Sequence, residues 1–210
     1  MVKNISDWQS LLSHHEVKES NWVVLTPERV AMISLIDCEE QLVKSGSDPL
    51  RLSLAAKSAH LALQAALTAA LAGTANIGAH PEKLRVEYLN YLNDPDISNT
   101  ARPISDRVMG FGELLELAKI GNLPWSNVPL AVDDNQQELL DRLTSLRHDI
   151  EHPKQNVHSI EPEFILQTLP VAARLTIELL ETVFHHFESG EMGRLKKVAD
   201  AIVAIVNDAG

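Results

Sequence analysis

LSLAAKSAHLALQAALTAALA, residues 52–72, is the most apolar stretch of the chain, and how it is read decides the fold. Alanine is its commonest residue, and it carries Lys57, His60 and Gln64. A segment so composed reads as a helix packed inside a protein, not as a membrane span. Asp48-Pro49 opens it and Gly73 follows it, a start and a stop signal for a helix. Leu50, Leu54, Leu61, Leu67 and Leu71 are expected to supply its core contacts, and the alanines leave room for a close neighbour.

The same periodicity extends in both directions. Upstream, Thr26-Pro27-Glu28 gives a threonine N-cap, a proline at the first helical position and an acid at the positive end of the helix dipole. Val30, Ile33, Cys38 and Leu42 are expected to form the apolar side of this helix, and Gly46 its stop. Residues 1–25 read as an N-terminal extension with a short helix around Trp8, Leu11 and Leu12, and an extended piece at Val23-Val24-Leu25. Downstream come a loop at 73–81, a short helix from Glu82 to Leu92 and a polar connector over 93–104. Ser105 is expected to cap a fourth main helix with Val108, Phe111, Leu115 and Ala118 on one face and Gly121 at its end. After a loop with Pro124, Trp125 and Pro129, Asp133-Asp134 starts a helix striped by Leu139, Leu143, Leu146 and Ile150, which Pro153 ends.

Residues 161–188 read as one long helix, kinked at Pro170, with Leu175, Leu179 and Val183 facing the core. A last helix over 191–208 carries Leu195, Val198, Ile202 and Ile205. The fold class expected is all-α, an antiparallel bundle of about five main helices with extra N- and C-terminal helices. Its organisation would be an extension over 1–25, a bundle domain over 26–190, and a C-terminal helix over 191–210 packed on the bundle or at a dimer interface.

Composition narrows the function. The 210 residues hold 18 Lys plus Arg against 29 Asp plus Glu, a formal charge of −11. Such a chain repels the phosphates of DNA and is no non-specific DNA coat, although a local basic site is compatible with it. A single cysteine, Cys38, excludes an internal disulfide and a multi-cysteine zinc cage, and fits a reducing compartment. The first residues lack the apolar region of a signal peptide, so the expected location is the cytoplasm, with no membrane association.

Chemistry concentrates in Leu146-Arg147-His148-Asp149-Ile150-Glu151-His152-Pro153, at the C-terminal end of a helix. The residue before a proline avoids the α region, so His152 is expected to leave the helix, which would leave its ring able to swing toward the side of Arg147. A guanidinium grips phosphate oxygens in a planar, two-toothed way, and an imidazole moves protons near neutral pH. On RNA the nucleophile is already present as the 2′-hydroxyl, so an acid, a base and a cation suffice. The plain alternative is that Arg147 pairs with Glu151 one turn on and His152 only caps the helix.

Arg147, the polar His148 after it, and His152 with four residues between it and the arginine resemble the Rx4–6H motif of HEPN domains. The helix from Ser58-Ala59-His60 to Ala72 is similar to an early HEPN helix, and Ile160 to Leu180, with its Leu169-Pro170 step, resembles the closing one. The resemblance covers residues 28–188. It implies a helical bundle that dimerises with the motif at the interface. It also implies a metal-independent endoribonuclease or RNA-binding component of a defence or toxin–antitoxin system, with an antitoxin or other protein partner. By that resemblance Arg147 would bind the scissile phosphate, His152 would be the general acid and base, and His148 a polar auxiliary. Other members of that family have lost catalysis and act as binding or assembly modules.

Rival readings use the same residues. His148, Asp149 and His152 suggest a divalent metal site or an HD-type phosphohydrolase, with His60, His80 and His158 as candidate further ligands. His148-Asp149-Ile150 and Pro153 resemble the phospho-accepting box of sensor kinases, but Lys154-Gln155-Asn156 follows, where that box continues with an apolar residue. A non-catalytic helical module for homodimerisation or protein binding is favoured by the acidic balance. The pairs His14-His15 and His185-His186 read as surface or partly buried residues, Cys38 as core, and Trp8 and Trp125 as loop anchors. Gly110-Phe111-Gly112 follows no strand and makes no nucleotide loop.

Overall fold

A computed structural model of the chain describes residues 23–94, 101–121, 123–126, 128–152, 159–183 and 187–209. Every regular element among them is helical: α1 (Pro27–Ser45), α2 (Arg51–Ala72), α3 (Glu82–Leu92), α4 (Phe111–Lys119), α5 (Asp134–Glu151), α6 (Pro162–Leu166), α7 (Leu169–Thr182) and α8 (Glu191–Ala209). The all-α class is as the periodicity requires. None of these helices is long and apolar enough to cross a membrane. The helix expected around Trp8 and the two adjacent histidine pairs lie outside the described residues, and Val23–Leu25 is exposed and forms no strand.

α2 is the centre of the molecule. It lies against α1 along most of its length, and α7, α5, α4 and α6 also pack on it. Its buried face is made of Ala55, Ala56, Ala59, Ala62, Leu63, Ala66, Leu67 and Ala70. Of the leucines expected in the core, only Leu67 and Leu71 are there; Leu50 is 80% exposed, Leu54 40% and Leu61 44%. At about 100° per residue those three share one narrow arc, roughly opposite Ala59 and Ala66. Alanine wins the inner face because its small side chain lets a neighbouring backbone come close. Gly73 ends the helix at φ +66°, and the Gly78 amide donates to the Ala72 carbonyl at 3.1 Å. A Cβ at residue 78 would fall 1.8 Å from the Leu71 carbonyl oxygen, so only glycine fits there.

α1 begins as expected, with Thr26 Oγ1 accepting from the Arg29 amide at 3.3 Å and Pro27 in the first turn. Its core face is Ala31, Met32, Leu35, Ile36, Cys38 and Leu42, whereas Val30 and Ile33 are only half-buried. Burial pushes the Cys38 thiol far above its ordinary range, with Asp37 and Glu39 adding to the shift, so it is an inert core group. α8 closes the bundle over α1 and α7 with Leu195, Val198 and Ile202 buried. Arg29 reaches across to Glu191 at 2.8 Å, where the pair is mostly shielded from solvent.

Two helices differ from expectation. Ser105 caps no helix: residues 101–110 are irregular, and α4 starts at Phe111 with the Gly110 amide donating to Glu113 Oε2 at 2.9 Å. Ser105 Oγ instead accepts from the Arg107 amide two residues on, a local turn that competes with helix. Val108, expected on the α4 face, therefore lies outside the helix and is 36% exposed, while Leu114 joins Phe111, Leu115 and Ala118 in the core. The expected helix over 161–188 is two helices: Thr168 Oγ1 donates to the Ile165 carbonyl at 2.8 Å, and Pro170 sits in the first turn of α7. A proline has no amide to donate, so it starts a helix without loss where it would break one inside. Leu175, Leu179 and Val183 are buried as expected.

Among the described residues α3 makes no extensive contact with another helix. Leu84 and Tyr88 are buried beneath it, outside the main core. Residues 101–110 cover them: Tyr88 Oη lies 3.0 Å from Asp106 Oδ1 and 3.3 Å from the carbonyls of Pro103 and Ser105. The Met109 amide donates to the Ala79 carbonyl at 3.0 Å.

Candidate functional site

α5 carries the charged segment, and its start fixes its register. Asp133 Oδ1 accepts from the Gln136 amide at 2.8 Å, and the Asp133 amide donates to Gln136 Oε1 at 3.1 Å, a reciprocal cap. From there Leu140, Leu143 and Leu146 point into the core. Leu139 and Ile150, expected on the same stripe, are half-buried at its borders. The helix stops at Glu151, and His152 takes φ −124° and ψ 70°, out of the α region as its following proline requires.

This register lays two pairs side by side around the end of α5. Arg147 Nη2 is 2.6 Å from Glu151 Oε2, the pairing that the plain alternative foresaw. His148 and His152, both exposed, hold their rings 4.8 Å apart at 54°. The His152 ring thus stands beside His148, while Arg147 pairs with Glu151. Both pairs join residues four apart, which are neighbours on a helix.

Two residues of α2 complete the cluster. Lys57 places Nζ 3.8 Å from the second carboxylate oxygen of Glu151. His60 is 2% exposed, its ring centroid is 4.6 Å from that of Phe111, and its Nε2 has no hydrogen-bond partner among the described residues. Its pKa is lowered from 6.5 to about 4, first by burial and then by the Arg147 charge, with Glu151 opposing. The sequence named His60 within a resemblance and as a candidate further metal ligand, and never singled out Lys57 as a site residue. Their link to Glu151 depends on how α2 and α5 pack, which no local spacing encodes.

Comparison with protein families, curated proteins and solved structures finds no match for this chain. The site is therefore interpreted from its own geometry. For a metal, His148, Asp149 and His152 need further ligands, and among the described residues no group of three or more His, Cys, Asp or Glu is arranged to hold one. His80, a candidate further ligand, has Nδ1 2.7 Å from the Arg107 carbonyl and stacks on Tyr88, so it serves the α3 region. His158 lies outside the described residues. Trp125 is 41% exposed.

Proposed function

We propose that this is a cytoplasmic, homodimeric HEPN-like protein that binds single-stranded RNA and cuts it without a metal, as a component of a defence or toxin–antitoxin system. The observation that carries the proposal is the exposed end of α5. There a guanidinium and two imidazoles, 4.8 Å apart, are presented together at a broken helix terminus. Arg147 would hold the phosphate oxygens and offset the charge that develops on them. An imidazole of the His148–His152 pair would take the 2′-hydroxyl proton as the 2′-oxygen attacks phosphorus. The P–O5′ bond then breaks, O5′ takes up a proton from imidazolium, and a 2′,3′-cyclic phosphate and a 5′-hydroxyl remain. Because Arg147 and His152 face different neighbours within one chain, the working site would combine Arg147 of one chain with His152 of the other.

The test is incubation of purified protein with single-stranded RNA in EDTA. Cleavage is expected, and Arg147→Ala or His152→Ala should each lower its rate by about a hundredfold or more while the helical circular dichroism is unchanged. Intact RNA across a broad panel would end the catalytic proposal.

One observation favours a second reading, a non-catalytic module for dimerisation or protein binding. The Arg147 guanidinium is already engaged by Glu151 at 2.6 Å. Under that reading the chain dimerises, RNA is ignored, and Arg147→Ala changes neither.

A further inference from the structure

Two cations from different helices converge on one carboxylate at the edge of this site. Arg147 of α5 approaches one oxygen of Glu151 at 2.6 Å, and Lys57 of α2 approaches the other at 3.8 Å. All three side chains reach solvent, with 39%, 45% and 27% of the Arg147, Lys57 and Glu151 surfaces exposed. A carboxylate held through separate oxygens by a guanidinium and an ammonium stands where a phosphate would present two of its own.

Glu151 is badly placed to stabilise its helix. It lies in the last residue of α5, at the negative end of the dipole, where an acid is unfavourable. Its ion pair runs with the basic residue N-terminal to the acid, the weaker order at this spacing. Exposed pairs of this kind contribute little, so opening it requires little.

We infer that Lys57 and Arg147 form a phosphate-binding pair, and that the Glu151 carboxylate occupies it as a built-in competitor until a phosphate displaces it. With the carboxylate in place the three groups carry one net positive charge; with it swung out, the two cations face the ligand together. The source of the phosphate, RNA, rests on the function proposed above; the two-cation site itself does not. Such a competitor gives an acidic protein a means of rejecting weakly held anions while admitting a polyanion.

The experiment uses the full chain as wild type, Glu151→Gln, Glu151→Gln with Arg147→Ala, and Glu151→Gln with Lys57→Ala. Binding of inorganic phosphate is followed by NMR titration and binding of labelled single-stranded RNA by fluorescence anisotropy, with thermal melts to confirm folding. Glu151→Gln should bind both probes about tenfold tighter than wild type, and either second substitution should cancel the gain. Unchanged phosphate affinity in Glu151→Gln overturns the inference and makes Glu151 an ordinary helix ion pair. A gain for phosphate without one for RNA upholds the competitor and removes RNA as its ligand. RNA cleavage that depends on Arg147 and His152, with no gain for either probe in Glu151→Gln, leaves the proposed function standing and removes the competitor.

Discussion

Two histidines are buried among the described residues, and their surroundings are opposite in kind. His80, 9% exposed, is satisfied: Nδ1 meets the Arg107 carbonyl at 2.7 Å and the ring stacks on Tyr88. His60, 2% exposed, has no partner for Nε2 among the described residues, and the charges of Arg147 and Glu151 act on it. A buried polar atom without a partner costs stability, so the two histidines should differ in what they contribute to the fold. The histidine at the foot of α3 ties a peripheral region together. The one on α2 lies on the buried central helix, near enough to Arg147 and Glu151 for their charges to act on it.

The largest expected difference between the two regions is in packing. Leu63, one turn beyond His60, is fully buried among α2's neighbours, and Leu63→Ala should cost about 2–5 kcal/mol in urea unfolding. Leu84 is buried under α3, away from the main core, and Leu84→Ala should cost about 1–2 kcal/mol because the surroundings can collapse more easily. Amides of α3 should also exchange by local opening, well below the global unfolding free energy. Equal costs at the two leucines would show that α3 unfolds only with the core.

Protonation comes next in size. His60 is lowered to about 4 from the ordinary 6.5. Between those values the unfolded chain takes up a proton that the folded chain refuses. The contribution is therefore fully present above pH 6.5 and lost as pH falls toward 4, by roughly 3 kcal/mol in total. His60→Leu should flatten this slope and be no less stable than wild type at pH 7. Glu178, whose pKa is raised by burial and by Glu181, acts in the opposite sense, so the difference between wild type and variant is what must be measured. A wild-type slope that survives His60→Leu would place the titration elsewhere.

The same contrast explains what the sequence could tell. Helix starts were legible where a side chain caps its own helix, as at Thr26 and Asp133, because that chemistry is local. Which face of α2 is buried was not, since leucine spacing points to Leu50, Leu54 and Leu61 while tertiary contact selects alanines. Ser105 offered a capping residue that a local turn used instead. At the site, the Arg147–Glu151 pair and the departure of His152 from the helix follow from spacing and from Pro153. Lys57 and His60 enter it only through the meeting of α2 and α5.

A smaller effect is expected at the satisfied histidine's partner. Tyr88→Phe removes the hydroxyl that lies 3.0 Å from Asp106 Oδ1 and near two carbonyls. The ring stays, so the cost should be about 1 kcal/mol, confined to α3 and residues 101–110 in hydrogen exchange. A loss spread through the whole core would mean that this annex supports the bundle.

The smallest effect on stability is expected where the largest effect on function is proposed. Arg147 is 39% exposed and its pair with Glu151 is open to solvent, so Arg147→Ala should change the unfolding free energy by less than about 1 kcal/mol. The substitution also removes a positive charge that lowers the His60 pKa, so the acid slope assigned to His60 should become shallower. Both are read from one set of urea curves recorded between pH 4 and 8. A stability loss as large as that of Leu63→Ala would make Arg147 a structural residue, and its binding role would lose its footing. A small loss together with the shallower slope would mean that the guanidinium is held over His60 for something other than the fold.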